Sequence, residues 1–133
     1  MKIPLYKAIS LETRTWIEGN LVYNLDPTRK EPVIKEAFIR NPVGKSTRLV
    51  PVAIKTICEF TGLTDKNGIK VFFNDNVMLD HWKSTDLFDY SNPFIVSFFD
   101  GEINFKQRDY NLFKGTLNGK LTIDVFGNIY DPC

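Results

Sequence analysis

The chain has 133 residues, the length of one ordinary domain, and a chain of this size buries roughly two-thirds of its unfolded surface when it folds. Hydrophobic residues make up 43% and charged residues 25%, which excludes a disordered or fibrous protein. The formal net charge of +1 and the sequence pI near 7.7 are far from the strongly basic balance of proteins that follow a phosphate backbone.

The charge is divided unevenly along the chain. Residues 1–60 hold ten Lys and Arg against six Asp and Glu, and residues 61–133 hold seven against ten, so the two parts carry +4 and −3. Such a division is compatible with a basic surface for an acidic partner, with two surfaces that attract each other in an oligomer, or with charges that only solvate the outside.

Taken in chain order, apolar runs bounded by turn residues predict a series of short strands. Their ranges are 3–9, 15–24, 33–39, 49–60, 69–73, 77–79, 94–99, 102–106 and 121–126. We expect the first two strands to pair, polar loops at 25–32 and 40–47, and an irregular stretch at 81–93. Many short strands are typical of a closed or nearly closed small barrel, so the sequence predicts a mainly β fold with little helix.

The clearest hairpin covers residues 94–106, where Asp100-Gly101 supplies the two positive φ angles of a type I′ turn. This turn sets the register, with Phe99 opposite Glu102 and Phe98 opposite Ile103. The core face of the hairpin is then predicted to consist of Phe94, Val96, Phe98, Ile103 and Phe105.

Other tight turns are predicted from Asn, Asp and Gly. Residues 65–68 read Asp-Lys-Asn-Gly, typical of a type I turn closed by a left-handed Gly68. A corner at 74–76 and a turn at 118–119 are predicted on the same grounds.

Two separated segments, TGLTDKNG at 61–68 and GNIYDP at 127–132, resemble the YopX family of phage and prophage proteins. In that family the first pattern introduces a β-barrel domain often likened to the SH3 type, and the second pattern closes it. Residues 16–22 also look like the family's N-terminal strand. The resemblance implies a single unit over 1–133, with a possible subdivision into an N-terminal β portion, 1–54, and an SH3-like barrel portion, 55–133.

The positions that match the family are mostly turn formers and apolar residues, which a fold requires whatever its function. We therefore interpret the polar and glycine positions of the motif as structural. They are Gly62, Asp65, Asn67, Gly68, Asp75, Gly127 and Asn128. Where family members commonly have Glu-Gly-Asp, this chain has Phe73-Asn74-Asp75, and Asn74 is expected to keep the corner because Asn tolerates left-handed backbone.

Residues suited to catalysis are few. His81 is the single histidine, and Asp80, Asp86 and Asp89 beside it lack the spacing of a metal site. Cys58 shares its alternating face with apolar residues, which argues against a reactive pair with His81. We predict no catalytic, cofactor-binding or metal-binding residue, no cofactor, no enzymatic activity, and no disulfide between Cys58 and Cys133.

Residues 44–47, Gly-Lys-Ser-Thr, match only the end of a phosphate-binding loop, since the earlier glycine is missing and Pro42 occupies the loop. A basic loop is the better interpretation. The candidate anion-binding rim consists of Arg29, Lys30, Arg40, Lys45 and Arg48.

Two functions remain open, because the YopX family has no established biochemical activity to carry over. The first is a non-enzymatic accessory protein of a phage or prophage that self-associates or binds a phage or host protein. The alternative is a nucleic-acid-binding barrel in which Trp82, Tyr90 or Tyr110 stack on bases. We expect a cytoplasmic protein without a membrane partner, because the sequence begins with no secretory signal and its longest strongly apolar run, 94–99, is too short to span a bilayer.

Overall fold

The computed structural model describes residues 5–43, 46–80, 92–99, 101–107, 110–113 and 122–131. The strands are β1 (Tyr6–Ile9), β2 (Trp16–Leu25), β3 (Ile34–Val43), β4 (Ser46–Pro51), β5 (Cys58–Thr64), β6 (Lys70–Phe72), β7 (Asp75–Asp80), β8 (Phe94–Phe99), β9 (Glu102–Gln107), β10 (Tyr110–Phe113) and β11 (Thr122–Asn128). A 3-10 helix at Ile54–Thr56 lies between β4 and β5. Over these ranges, no helix has the length and apolar character needed to cross a membrane.

Among the described residues, the strands form two antiparallel sheets, one of six strands in the order β4-β3-β2-β1-β5-β6 and one of five in the order β10-β9-β8-β7-β11. The prediction of a mainly β protein with little helix is confirmed. In the described part of the chain, the two outer strands of each sheet form no ladder with each other, so the predicted closed barrel is not found there.

The chain divides into two compact units, Met1–Phe60 and Thr61–Cys133. The core of unit 1 is formed by Ala8, Ala37, Ile39 and Val52. The core of unit 2 is formed by Val71, Val77, Leu79, Phe94, Val96, Phe105 and Ile123. The division of charge falls at the same position along the chain, so unit 1 carries +4 and unit 2 carries −3.

Strand β2 changes its partner at Gly19. Up to Gly19 it pairs with β1, as predicted, and from Asn20 onward it pairs with β3. A Cβ atom at Gly19 would lie 2.3 Å from the carbonyl oxygen of Arg40 and 2.9 Å from Cγ2 of Ile39. The absence of a side chain therefore allows β3 to approach β2 at this point.

The predicted loop at 40–47 is wrong. Strand β3 continues to Val43 and β4 begins at Ser46, with Arg40 opposite Leu49 in their ladder. Both Arg40 and Leu49 are exposed, so this end of the hairpin lacks the apolar alternation of a half-buried strand. Gly44 and Lys45 lie outside the described part of the chain.

The single strand predicted at 49–60 is also wrong, because the 3-10 helix separates β4 from β5. The Thr56 hydroxyl donates a hydrogen bond to the Ala53 carbonyl at 2.7 Å and accepts one from the Ile9 N–H at 2.9 Å. This buried side chain stabilises the helical turn. Hydrophobic alternation does not reveal such a turn, since three residues of 3-10 helix are too few to show their own period.

In unit 2 the predicted register of the 94–106 hairpin is confirmed, with Phe98 opposite Ile103 and Phe99 opposite Glu102. Phe94, Val96 and Phe105 are buried as expected. Phe98 is an exception because its side chain is 63% exposed. It lies in the penultimate pair of the hairpin, beyond the residues that form the core.

The turn at 65–68 is confirmed, since the Gly68 N–H bonds to the Asp65 carbonyl at 3.0 Å and Gly68 has a φ of +79°. The corner at Asn74 is confirmed by a φ of +72°. The predicted turn at 118–119 and residues 81–91 of the irregular stretch lie outside the described residues.

We predict that Gly19→Ala lowers the free energy of unfolding by about 1–3 kcal/mol, because the added methyl group would overlap the backbone of β3. Urea unfolding at neutral pH measures the change. Asn24→Ala, at an exposed position of the same strand, is the control and should change the stability by less than about 0.5 kcal/mol. Equal stability of the Gly19→Ala variant and the wild type would contradict the close approach.

Candidate functional site

The turn between β5 and β6 is organised by the carboxylate of Asp65. Its Oδ1 atom accepts hydrogen bonds from the N–H groups of Asn67 at 2.8 Å and Ile69 at 2.9 Å. Its Oδ2 atom accepts a third bond, from the Val125 N–H at 3.2 Å. Asp65 therefore closes its own turn and also joins this turn to β11.

The neighbouring Lys66 strengthens the same junction. Its N–H donates to the Ile123 carbonyl at 3.0 Å, and its Nζ atom lies 3.5 Å from Oδ2 of Asp124. Strand β11 is an outer strand of its sheet. The turn therefore satisfies backbone groups on the outer edge of β11 and reduces the exposed edge on which another strand could pair.

The environment of Asp65 shifts its acidity. Burial of the carboxyl group raises its pKa, but the three backbone N–H donors and the positive charge of Lys66 outweigh burial and hold the pKa below its ordinary value. Asp65 is only 6% exposed and its oxygens are directed at backbone donors. We interpret the lowered pKa as the result of a structural role.

A second polar cluster joins the corner between β6 and β7 to the end of β11. The fully buried Asp75 accepts hydrogen bonds from the Phe72 N–H at 2.8 Å and from Nδ2 of Asn128 at 2.9 Å. The Oδ1 atom of Asn128 accepts a bond from the Tyr130 N–H at 2.9 Å. Asn128 therefore connects the corner to the turn that follows β11.

The remaining glycines of the motif have backbone or steric roles. Gly62 has a φ of +87°, which side chains rarely allow. A Cβ atom at Gly127 would lie 2.9 Å from Oδ2 of Asp131, the atom that accepts the Asn128 N–H. Within unit 2, five of the seven predicted motif residues thus serve turns and strand ends, Gly62 lies inside β5, and Asn67 contributes a backbone N–H to the Asp65 turn.

The candidate anion-binding rim is not assembled in one place. Arg29 and Lys30 are exposed in the β2–β3 connection, at one end of β3, and Arg29 lies 3.9 Å from Asp26. Arg48 is near the other end of β3, roughly 20–30 Å away by the rise of a strand. Arg48 forms a salt bridge with Glu12 at 2.7 Å, so its charge is partly compensated.

The other candidates from the sequence lead to no reactive cluster in the described residues. Cys58 is buried and its Sγ donates to the Thr56 carbonyl at 3.2 Å. Ser46 is the first residue of a strand. In a phosphate-binding loop, the Ser or Thr that follows the Lys lies at the start of a helix. In the described ranges, no three His, Cys, Asp or Glu residues are grouped to hold a metal. His81 and Cys133 lie outside those ranges.

The sequence did not predict an apolar cluster in unit 2, the Phe98 patch, in which the exposed Phe98 lies beside the half-buried Phe73 and Ile103. The rings of Phe73 and Phe98 meet edge to face with centroids 5.9 Å apart. Phe73 and Ile103 also pack against the core of unit 2. Alternation places Phe98 on the same face as the buried Phe94 and Val96, so the sequence pattern predicted its burial.

Comparison with known proteins agrees with this description. The model of a protein family described as YopX protein matches residues 5–132. The crystal structure of protein EF1440 from Enterococcus faecalis has a TM-score of 0.56 and 18% identity over 98% of this chain and 96% of that chain. At this identity the likeness shows a shared fold. No curated protein matches the sequence.

The strands and the polar junctions define a mainly β protein of two antiparallel sheets, in which the motif residues of unit 2 join turns to strand ends. The family match covers nearly the whole chain. The chain belongs to the YopX family.

The lowered pKa of Asp65 predicts how stability depends on pH. A carboxyl group with a lower pKa in the folded chain stabilises the fold above its unfolded pKa of about 3.9, and this contribution is lost as the pH falls through the folded value. Asp65→Asn removes the titration. We therefore expect the wild type to lose stability more steeply than this variant below about pH 5, as measured by urea unfolding over a pH series.

Asp124→Asn, which removes a carboxylate from the exposed ion pair with Lys66, is the matched control. This control should keep the steep acid dependence of the wild type. Parallel curves for the wild type and the Asp65→Asn variant would contradict the assigned role of Asp65.

Proposed function

We propose that the chain is a non-enzymatic accessory protein of a phage or prophage, and that it acts by binding another protein chain through the Phe98 patch. Membership of the YopX family supports the phage setting, since the sequence motifs resemble phage and prophage proteins. The observation that carries the binding function is the 63% exposure of Phe98.

Phe98 is exposed but well supported. Its ring rests edge to face on Phe73, and it stands opposite Ile103 in the hairpin. Because Phe73 and Ile103 are anchored on the core, the exposed ring needs little further ordering when a partner covers it. Aromatic side chains held in this way are typical of the residues that contribute most to protein interfaces.

The polar motif residues support the same function indirectly, because their hydrogen bonds are made inside unit 2. The oxygen atoms of Asp65 and Asp75 accept hydrogen bonds from backbone and amide donors within unit 2. These groups stabilise the unit that presents Phe98. We therefore assign the motif to architecture and the contact with a partner to the apolar surface.

The proposal includes the small barrel expected from the family resemblance and a cytoplasmic location. The barrel is proposed for residues 55–133 on the family resemblance alone, whereas the contact that indicates a curved sheet lies in unit 1, where Ser10 at the end of β1 forms a bridge with Val52 just after β4. Two backbone bonds extend this connection, from Leu11 to the Pro51 carbonyl and from Ala53 to the Ile9 carbonyl, both at 2.9 Å. They draw the ends of non-adjacent strands together, as a strongly curved sheet requires.

A photo-reactive phenylalanine at position 98 tests the binding function in bacterial cells. We expect irradiation to give discrete cross-linked products, because Phe98 lies in the contact. The control carries the same group at Phe126, which is 58% exposed on β11. The absence of any product from position 98 would contradict a contact through the Phe98 patch. The same would follow if both positions gave products of equal pattern and yield.

Binding of nucleic acid is the second candidate function, and the observation that favours it is the +4 charge of unit 1. The exposed side chains of Arg29, Lys30 and Arg40 belong to this unit. Their separation along β3 favours scattered phosphate contacts over one continuous rim.

Fluorescence anisotropy with labelled single- and double-stranded DNA and RNA tests this candidate at low and physiological salt. If it holds, affinity should fall steeply with salt, and Arg40→Ala with Lys45→Ala should weaken binding and reduce the salt dependence. Lys66→Ala with Lys70→Ala, in acidic unit 2, is the control and should leave binding unchanged. A flat response for all four nucleic acids would remove this candidate.

A further inference from the structure

Unit 1 contains an apolar groove beside the end of β4. The groove encloses a cavity of about 270 Å³ and is lined mainly by Leu11, Ala37, Phe38, Pro51, Val52 and Ile54. Leu11 and Ile54 are 50% and 41% exposed, so the apolar walls reach the solvent. The cavity is slightly smaller than the roughly 300–1,000 Å³ of sites for small molecules, and it suits one or two inserted side chains.

The walls of the groove are held by backbone hydrogen bonds. The Leu11 N–H bonds to the Pro51 carbonyl at 2.9 Å, and the Val52 N–H bonds to the Ala37 carbonyl at 3.0 Å. Each wall is therefore fixed to a strand of the unit. A groove of this kind is formed before a ligand arrives, so binding requires little reorganisation.

The charge around the groove indicates which apolar segment it accepts. Lys35 and Glu36 contribute to its lining, and Lys55 follows Ile54 in the 3-10 helix, so these three exposed side chains sum to +1. The unit as a whole carries +4. An apolar segment flanked by acidic residues is complementary to this rim.

The hairpin end that carries the Phe98 patch has this chemistry. Phe98 and Phe99 are 63% and 56% exposed. Glu102 is exposed opposite Phe99. This end of acidic unit 2 therefore offers aromatic side chains beside negative charge.

We propose that the hairpin end of one copy inserts Phe98 into the apolar groove of a second copy. The inference rests on the proposed binding function and names its partner as this same chain. The two contacting surfaces differ, so the contact is heterologous, and every copy offers one hairpin end and one groove. Such a contact builds open chains or rings.

Sedimentation velocity over a concentration series tests the proposal with two variants. Phe98→Asp disables the hairpin end, and Ile54→Asp disables the groove, both at exposed positions where the fold should survive. We expect the wild type to form larger species as its concentration rises and each variant alone to stay monomeric. Phe126→Asp, the control at another exposed Phe of unit 2, should associate like the wild type.

Mixing the two variants gives the sharpest result. The Phe98→Asp chain keeps an intact groove and the Ile54→Asp chain keeps an intact hairpin end, so an equimolar mixture should form a complex of one copy of each and extend no further. A mixture that stays monomeric would overturn the proposal, as would a wild type that is monomeric at every concentration. Loss of association in the Phe126→Asp control would overturn it as well.

Charge exchange provides a second measurement with smaller changes to the chain. Glu102→Lys alone should weaken the association, and combining it with Lys35→Glu and Lys55→Glu should restore it. The association should also weaken as salt is added. Association indifferent to both changes would contradict the role assigned to charge.

The cross-linking experiment separates failure of this inference from failure of the binding function. A product from position 98 with twice the mass of the chain supports self-association. If the product has any other mass and the protein is monomeric in sedimentation, the result overturns the second copy as partner. The proposed binding function is then still supported. No product from position 98 overturns both.

Discussion

The buried contact between Asp75 and Asn128 is the constraint on which unit 2 depends. It joins residues 53 positions apart in the sequence and fixes the last strand to the corner between β6 and β7. A buried carboxylate is costly unless hydrogen-bond donors surround it, and here a backbone N–H and a side-chain amide converge on it. Hydrogen bonds to charged groups of this kind contribute about 1.5–3 kcal/mol each.

The two halves of the family motif therefore belong to one set of junctions. The segment at 61–68 supplies Asp65, which accepts a bond from β11, and the segment at 127–132 supplies Asn128, which returns a bond to Asp75. Their distance in the sequence hides this relation. Because these side chains bond to the backbone, their spacing is set by the fold, and the motif alone carries no direct information about a ligand.

The sequence predicted the strands and turns whose signals are local. The Asp-Gly signal at 100–101 predicted the observed register of β8 and β9, and Asn74 took the left-handed corner that its side chain tolerates. The sequence did not predict the features that depend on tertiary contacts. The 3-10 helix is stabilised by Thr56 bonding to Ile9, 47 residues earlier, and alternation continued through it unchanged. The exposure of Phe98 likewise depends on where the core ends.

The candidate site was predicted only in part, because its geometry also depends on tertiary contacts. Basic residues were visible in the sequence, but their distribution over the two ends of β3 and the compensation of Arg48 by Glu12 depend on strand pairing. The groove in unit 1 combines residues from three separate segments, around Leu11, Ala37 and Pro51. No spacing rule brings such residues together, since each is an ordinary apolar residue in its own strand or turn.

The pairing of β1 with β5 has a consequence for how unit 1 folds. Strands β2, β3 and β4 are linked by short connections, whereas Tyr6 meets Glu59 across 53 positions of the chain. Closing a long loop costs more conformational entropy than closing a short one, so we expect the β2–β3–β4 meander to form first and β5 to join late. Until it joins, one edge of β1 is open to strands of other chains, and nascent or partly unfolded protein is most prone to aggregation in that interval.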